Sequence, residues 1–200
     1  MSYKSFALVG VSGLLGKHIL NALITENVPV VILTRKTSDP SSNIPASSII
    51  KIAKVDYEDS GEVSAVLKEN KVDFTISAVN TAAGGKSQYV LADSAKAAGV
   101  KLFVPSEFGN ATAGASVTLR KEKDDFAKFL KKIGIPSARI YTGAFFVFIP
   151  ALVSYHDCQK FNIVGKGRKK ASFSALEDIG GQYIFETGKG VEDDHSCPLQ

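Results

Sequence analysis

The sequence predicts an α/β protein built on a parallel sheet with helices on both faces. Three observations carry this. Short apolar runs alternate with amphipathic helical stretches along most of the chain. The runs are apolar throughout, as strands buried on both faces must be, rather than alternating in and out. The first strand–helix junction carries glycines at 10, 13 and 16.

Phe6 to Val9 reads as the first strand. The helix after it has apolar residues at Leu15, Ile19, Ala22 and Leu23, a one-faced helical spacing. Pro29 to Leu33 and Ile49 to Ala53 read as the second and third strands. Between them, Thr37 to Ser48 is rich in Ser, Pro and Asn and reads as a loop. Glu62 to Glu69 is a helix, Asp73 to Ser77 the fourth strand, and Ser87 to Ala98 a helix closed by Gly99. Lys101 to Val104 is the fifth strand, Val117 to Ile133 a helix closed by Gly134, and Ser137 to Tyr141 the sixth strand. After Pro150 the rhythm degrades. Phe161 to Val164 and Lys169 to Phe173 are candidate hairpin strands around a turn at Gly165 to Gly167. Glu177 to Thr187 is a candidate helix, and Gly188 to Gln200 is a polar tail without periodicity. Residues 1–150 therefore read as a dinucleotide-type domain and 151–200 as a partial second unit with an irregular tail.

A chain of 200 residues, 44% hydrophobic and 22% charged, suits a globular protein with a sizeable core. The net charge of +4 is spread along the chain, too diffuse for a nucleic-acid surface. The basic cluster at Gly165 to Lys170 reads as a solvated turn. No apolar run is long enough to cross a membrane, and the densest, Gly143 to Val153, is too short. Cys158 and Cys197 form no disulfide framework or metal-ligand spacing. His18 is expected to face solvent beside Lys17; His156 and His195 have no ligand-spaced partners. A reducing, cytoplasmic setting is the expectation.

Ligands of parallel α/β sheets bind at the carboxyl ends of the strands. There Gly10, Val11, Ser12, Gly13, Leu14, Leu15 and Gly16 form a phosphate-cradle turn of the Rossmann-like kind. Gly10 permits the turn, Gly13 the close approach of a pyrophosphate, and Gly16 the packing of helix on strand. After the second strand an NAD site usually places a carboxylate. This chain has Arg35 and Lys36 instead, which can pair with a 2′-phosphate and imply NADP(H). The alternative is that both are solvated surface cations.

None of the six tyrosines has a lysine four residues later, so the usual Tyr-x-x-x-Lys pair is missing. One lysine is nonetheless distinctive. At about 100° per residue, Leu119, Phe126, Leu130 and Ile133 form one stripe, and Lys123 lies within about 40° of its centre. Lys121, Lys128 and Lys132 fall on the opposite face. Lys123 is either a desolvated acid/base or a lysine that snorkels to water. Ser106 and Glu107 at the end of the fifth strand are expected to shape their loop through backbone hydrogen bonds.

Phe103 to Gly109, reading Phe-Val-Pro-Ser-Glu-Phe-Gly, resembles the signature of NmrA-like and isoflavone-reductase-like proteins, an atypical branch of the short-chain dehydrogenases. Ala97 to Lys101, Gly134-Ile135-Pro136 and the glycine turn are similar to that family too, so the resemblance extends over residues 5–180. It implies a Rossmann-like domain that binds NADP(H). It implies that Lys123, eleven positions before Gly134, is the general acid/base. It implies that Arg35 reads the 2′-phosphate, that Ser77, Ala78 and Val79 pass along the cofactor, and that Phe145 lies near the nicotinamide. Gly143 stands where the family often has asparagine. Family members are longer, so residues 151–200 are expected to be a truncated remnant of the substrate domain. Three functions follow from the resemblance: a reductase of a small, aromatic or phenolic molecule, a non-catalytic NADP-binding regulator, and a truncated product with vestigial cofactor binding. Oligomeric state is not specified by any of these features.

Overall fold

The computed structural model describes residues 5–38, 44–116, 118–162, 165–166, 168, 170–181 and 197–198. Five parallel strands form the central sheet: β1 (Phe6–Val9), β2 (Val30–Arg35), β3 (Ile50–Val55), β4 (Phe74–Ser77) and β5 (Leu102–Val104). Their order is β3-β2-β1-β4-β5. The chain first winds outward from β1 to β3, then returns to β4 on the other side of β1. That reversal opens a crevice between the carboxyl ends of β1 and β4.

Helices cover both faces, as expected. Alternate side chains of each strand point to opposite sides. Leu8, Ile32 and Ile76 pack with Ile19, Leu20 and Leu23 of α1 (Gly16–Thr25). Ala7, Val31 and Leu33 pack on the other face with α2 (Ser60–Glu69), α3 (Thr81–Ala98) and α4 (Thr118–Ile133). Asp59 caps α2, its carboxylate accepting from the Glu62 N–H at 3.0 Å. Helix α3 begins six residues earlier than the sequence suggests, running through Gly84 and Gly85 despite their low helix propensity.

The sixth strand is corrected. Ser137 makes a single parallel bridge to Phe103, and only Ile140–Tyr141 (β6) is extended. The Phe103 N–H donates to the Pro136 carbonyl at 2.9 Å, and Ala138 N–H to the Phe103 carbonyl at 3.2 Å. Beyond these two bonds the segment leaves the edge of β5.

After β6 the chain is irregular. It forms β7 (Ala144–Phe145), a 3₁₀ turn (Phe146–Phe148), and two single-turn helices, α5 (Ile149–Leu152) and α6 (Tyr155–Cys158). The expected hairpin is also corrected. Phe161 and Asn162 belong to no strand, while 163–164, 167 and 169 lie outside the described residues. The return strand is only β8 (Phe173–Ser174), and it pairs in parallel with β7. Gly143, at φ +65°, makes that pairing possible, because a Cβ there would stand 2.6 Å from the Ser172 carbonyl oxygen. Residues 176–181 are helical, and the remainder of the expected helix to Thr187 lies outside the described residues. In the tail, Cys197–Pro198 (β9) pairs with β6; its other residues, His195 included, lie outside.

His18 does not face solvent. Its side chain is 15% exposed beneath the 176–181 helix, 3.8 Å from the Glu177 carboxylate. Gly180 explains the fit, since a Cβ there would meet the His18 carbonyl oxygen at 2.5 Å.

The seat of α1 on β1 depends on Gly16, where a Cβ would stand 2.1 Å from the Gly10 carbonyl oxygen. Gly16→Ala is expected to cost about 1–3 kcal/mol, measured as a lower urea midpoint. An unchanged midpoint would show that this junction is looser than described.

Candidate functional site

The crevice between β1 and β4 is floored by main chain. Gly10 has φ +87°, and a Cβ on it would stand 2.6 Å from the Ala78 carbonyl oxygen. Ala78 N–H donates to the Val9 carbonyl at 2.8 Å, and Gly13 N–H to the Gly10 carbonyl at 3.0 Å. The turn is thus clamped between two strand ends. Leu15, at the start of α1, makes no side-chain cap, and the first turn holds no acidic residue. Its N–H groups and positive dipole are left for an anion.

A cavity of about 270 Å³ opens above this turn. Of the residues expected to hold a cofactor, Gly10, Val11, Ser12, Gly13, Arg35, Ala78 and Val79 line it together. Leu14 is exposed, Leu15 is core, and Gly16 lies beneath the turn. Ser77 is fully buried, and its hydroxyl has no hydrogen-bond partner. Lys36 pairs with Glu62 at 2.8 Å, and this hydrogen-bonded partner raises the lysine pKa and lowers that of the carboxyl. Phe145 is half-buried away from this cavity and stacks on Phe148, ring centres 5.8 Å apart.

Sequence reasoning missed Thr34, Ser38, Tyr57, Asn80 and Ser87, which also line the cavity. The available signal was position, since Tyr57 follows β3 and Asn80 follows β4 at their carboxyl ends. Tyr57 donates its hydroxyl to the Leu33 carbonyl at 2.7 Å. Burial pushes its pKa up to about 12, opposed by the Arg35 charge.

A second cavity of about 550 Å³ adjoins α3 and α4, with Ser87 on the wall of both. Gln88, Tyr89, Ser106, Glu107, Lys123 and Phe126 line it. The Lys123 ammonium donates to the main-chain carbonyls of Glu107 and of Phe108, the latter at 3.0 Å. Burial lowers its pKa below the usual lysine value, against the nearby Glu107 charge. Lys121 and Lys128 of the same helix are exposed and pair with Asp125 and Asp124. Lys123 therefore sits inward, partly desolvated, and held by oxygen atoms.

The Pro-Ser-Glu-Phe-Gly loop ties the two cavities together. Ser106 donates its hydroxyl to the Val79 carbonyl at 2.7 Å and its N–H to Gln88 Oε1 at 3.0 Å. The backbone-shaping role expected of Ser106 is what these bonds perform. Gly109 N–H donates to Thr142 Oγ1 at 3.0 Å, and Gly143 N–H to the Gly109 carbonyl at 3.1 Å. Among the described residues there is no cluster suited to a metal ion, and no helix is long and apolar enough to cross a membrane.

A five-stranded parallel sheet with a glycine turn at its reversal defines a Rossmann-like α/β protein. More narrowly, the chain belongs to the NmrA-like family, whose model matches residues 2–183. It is 30% identical to eugenol synthase 2 of Clarkia breweri, over 96% of this chain and 66% of that one. It is 30% identical to the phenylcoumaran benzylic ether reductase Pyrc5 of Pyrus communis, over 90% of this chain and 63% of that one. Its fold superposes on the leucoanthocyanidin reductase–NADPH binary complex of Vitis vinifera with TM-score 0.71 and 22% identity, covering 94% of this chain and 65% of the other. The chain thus spans about two thirds of the length of these relatives.

Tyr57→Phe removes the hydroxyl from a buried carbonyl at the cavity wall. The expected loss is about 0.5–1.5 kcal/mol of stability, read from urea unfolding. A variant as stable as the parent would mean that water replaces the bond.

Proposed function

We propose that this chain binds NADP(H) over the Gly10–Gly16 turn and is an NADPH-dependent reductase of a small, aromatic or phenolic molecule, with Lys123 handling the proton. The observation that carries the reading is Lys123 itself: a partly buried amine, held by two carbonyls, in a cavity that shares Ser87 with the glycine-turn cavity. The names of the relatives, a eugenol synthase and a benzylic ether reductase, and the NADPH of the leucoanthocyanidin reductase complex support it.

The residues present suit a dinucleotide. Gly10 and Gly13 leave bare backbone where a pyrophosphate would lie, and the uncapped start of α1 offers N–H donors. Arg35, exposed on the cavity wall, offers a planar donor fork to a 2′-phosphate. Lys36, Ser77 and Phe145 are assigned to the same cofactor more remotely, as charge, floor and flank. When bound, the reduced nicotinamide supplies a hydride. Lys123 holds a proton at Nζ for a substrate oxygen, and its lowered pKa makes that proton easier to give at neutral pH. Tyr89 and Phe126 offer ring surface to an aromatic ligand in the same cavity. Residues 1–150 form the cofactor unit in this reading, and 151–200 a partial substrate unit with an irregular tail. A cytoplasmic setting suits the cofactor and the free, exposed Cys158.

Fluorescence titration with NADPH, followed by turnover on a panel of aromatic alkenes and ethers, tests the proposal. Saturable binding with turnover is expected. Binding with no turnover would favour a redox-sensing regulator, and no binding would sink the reading. Arg35→Ala is expected to weaken NADPH binding at least tenfold more than NADH binding, roughly the worth of one charged hydrogen bond. Equal losses for the two cofactors would remove Arg35 from 2′-phosphate recognition. Lys123→Ala is expected to lower kcat by about 10²–10⁴-fold with NADPH affinity nearly intact. Turnover at the parental rate would assign the proton to another group.

A further inference from the structure

The reductase reading leaves one buried acid without a task. Glu107 is 1% exposed, in the loop after β5. A carboxylate so placed is costly unless it is hydrogen-bonded or paired. Its partner is the hydroxyl of Thr112, itself 2% exposed. Nearby, burial raises the pKa of the Tyr141 phenol, opposed by the Arg139 charge and helped by that of Glu107. The Glu107 N–H turns back to the Pro105 carbonyl at 2.8 Å, and Ala115 N–H closes on the Thr112 carbonyl at 3.0 Å. The loop from 105 to 115 is thus wound around this carboxylate. Its two carbonyls, of Glu107 and Phe108, are the ones that hold the Lys123 ammonium.

An ammonium has three N–H donors. Two are used by these carbonyls, which leaves one for an oxygen atom in the cavity. Carbonyl partners fix direction, but they bring no net charge to offset the burial of the amine.

The other charged groups around Lys123 are poorly placed to do that. Glu58, Lys86 and Glu122 on the same cavity wall are exposed and screened by water, and Tyr89 there is a neutral phenol. On Lys123's own helix, Asp124 is committed to Lys128 at 2.7 Å, and Asp125 to Lys121. Glu107 is the buried carboxyl whose charge opposes the fall in the Lys123 pKa.

We propose that Glu107 is a positioning residue for Lys123: anchored on Thr112, with its carboxylate buried in the same loop, it shapes the carbonyls that grip the ammonium and leave one N–H for the substrate. The inference rests on the reductase reading for the use made of the proton, though not for the interaction itself.

Its test therefore needs neither cofactor nor substrate. The full chain, labelled with ¹³C at lysine Cε, is titrated by NMR, and the Lys123 signal is assigned by its loss in Lys123→Arg. Removing a negative charge beside an amine favours its neutral form. Glu107→Gln is thus expected to move the Lys123 midpoint down by about one pH unit or more, and Glu107→Asp to restore much of the shift. A midpoint unmoved in Glu107→Gln overturns the proposal. Should Glu107→Gln fail to fold, Thr112→Val tests the anchor alone. With the loop released, acylation of Lys123 by a succinimidyl ester, followed by mass spectrometry, is expected to rise severalfold. A parental rate overturns the proposal. A lowered midpoint in a chain that does not bind NADPH would support Glu107 as the partner of Lys123 while sinking the reductase reading.

Discussion

The close contact of α1 with β1 governs the geometry of everything above the sheet. Gly16 lies against the Gly10 carbonyl oxygen, and Gly10 lies against the Ala78 carbonyl oxygen. Backbone therefore touches backbone across three segments, and no side chain could be fitted between them. That contact sets the height of the helix start above the strand ends. It decides that the crevice between β1 and β4 is floored by N–H and C=O groups. It also brings Ala78 and Val79 to the wall of the same cavity as Arg35. A floor made of peptide groups reads shape and negative charge, and leaves chemical identity to the rim.

The second determinant is the loop after β5, where polar burial replaces apolar packing. Ser106, Glu107, Thr112 and Thr142 are all nearly inaccessible, and all are hydrogen-bonded. Buried polar groups satisfied in this way define one geometry sharply, because any slip leaves donors unpaired. This loop touches the end of β4 through Val79, α3 through Gln88, α4 through Lys123 and the β6–β7 turn through Thr142 and Gly143. Few residues thus fix the relation between the glycine-turn cavity and the inward lysine.

The sheet was legible because its strands obey a simple rule, being apolar on both faces, and because their helices show one-sided periodicity. Lys123 was legible in the same way, as a charged residue near an apolar stripe. The sixth strand and the hairpin were misread for a physical reason. Ser137 to Tyr141 looks like a strand, yet only two hydrogen bonds hold it to β5. The pairing of β7 with β8 turns on Gly143 approaching Ser172, a contact between segments far apart in the chain. His18 was misjudged because its cover, the 176–181 helix, is equally remote. Tyr57 escaped because its only signal is its place at a strand end. Glu107 was legible as a loop-shaping residue, but its side chain bonds the Thr112 hydroxyl rather than backbone, a partner that no periodicity announces.

The strand order has a consequence for how such a molecule can diversify. Arg35 ends β2, on one side of the reversal, while Lys123 is gripped by the loop after β5, on the other. Strands β1 and β4 stand between them, and no hydrogen bond described above joins the two residues directly. Residues around Arg35 can thus be exchanged without disturbing the bonds that hold Lys123, and the lysine's surroundings can be remodelled without altering the rim beside Arg35. The sheet acts as a partition between two separately variable clusters, with the Ser106–Val79 hydrogen bond as the seam.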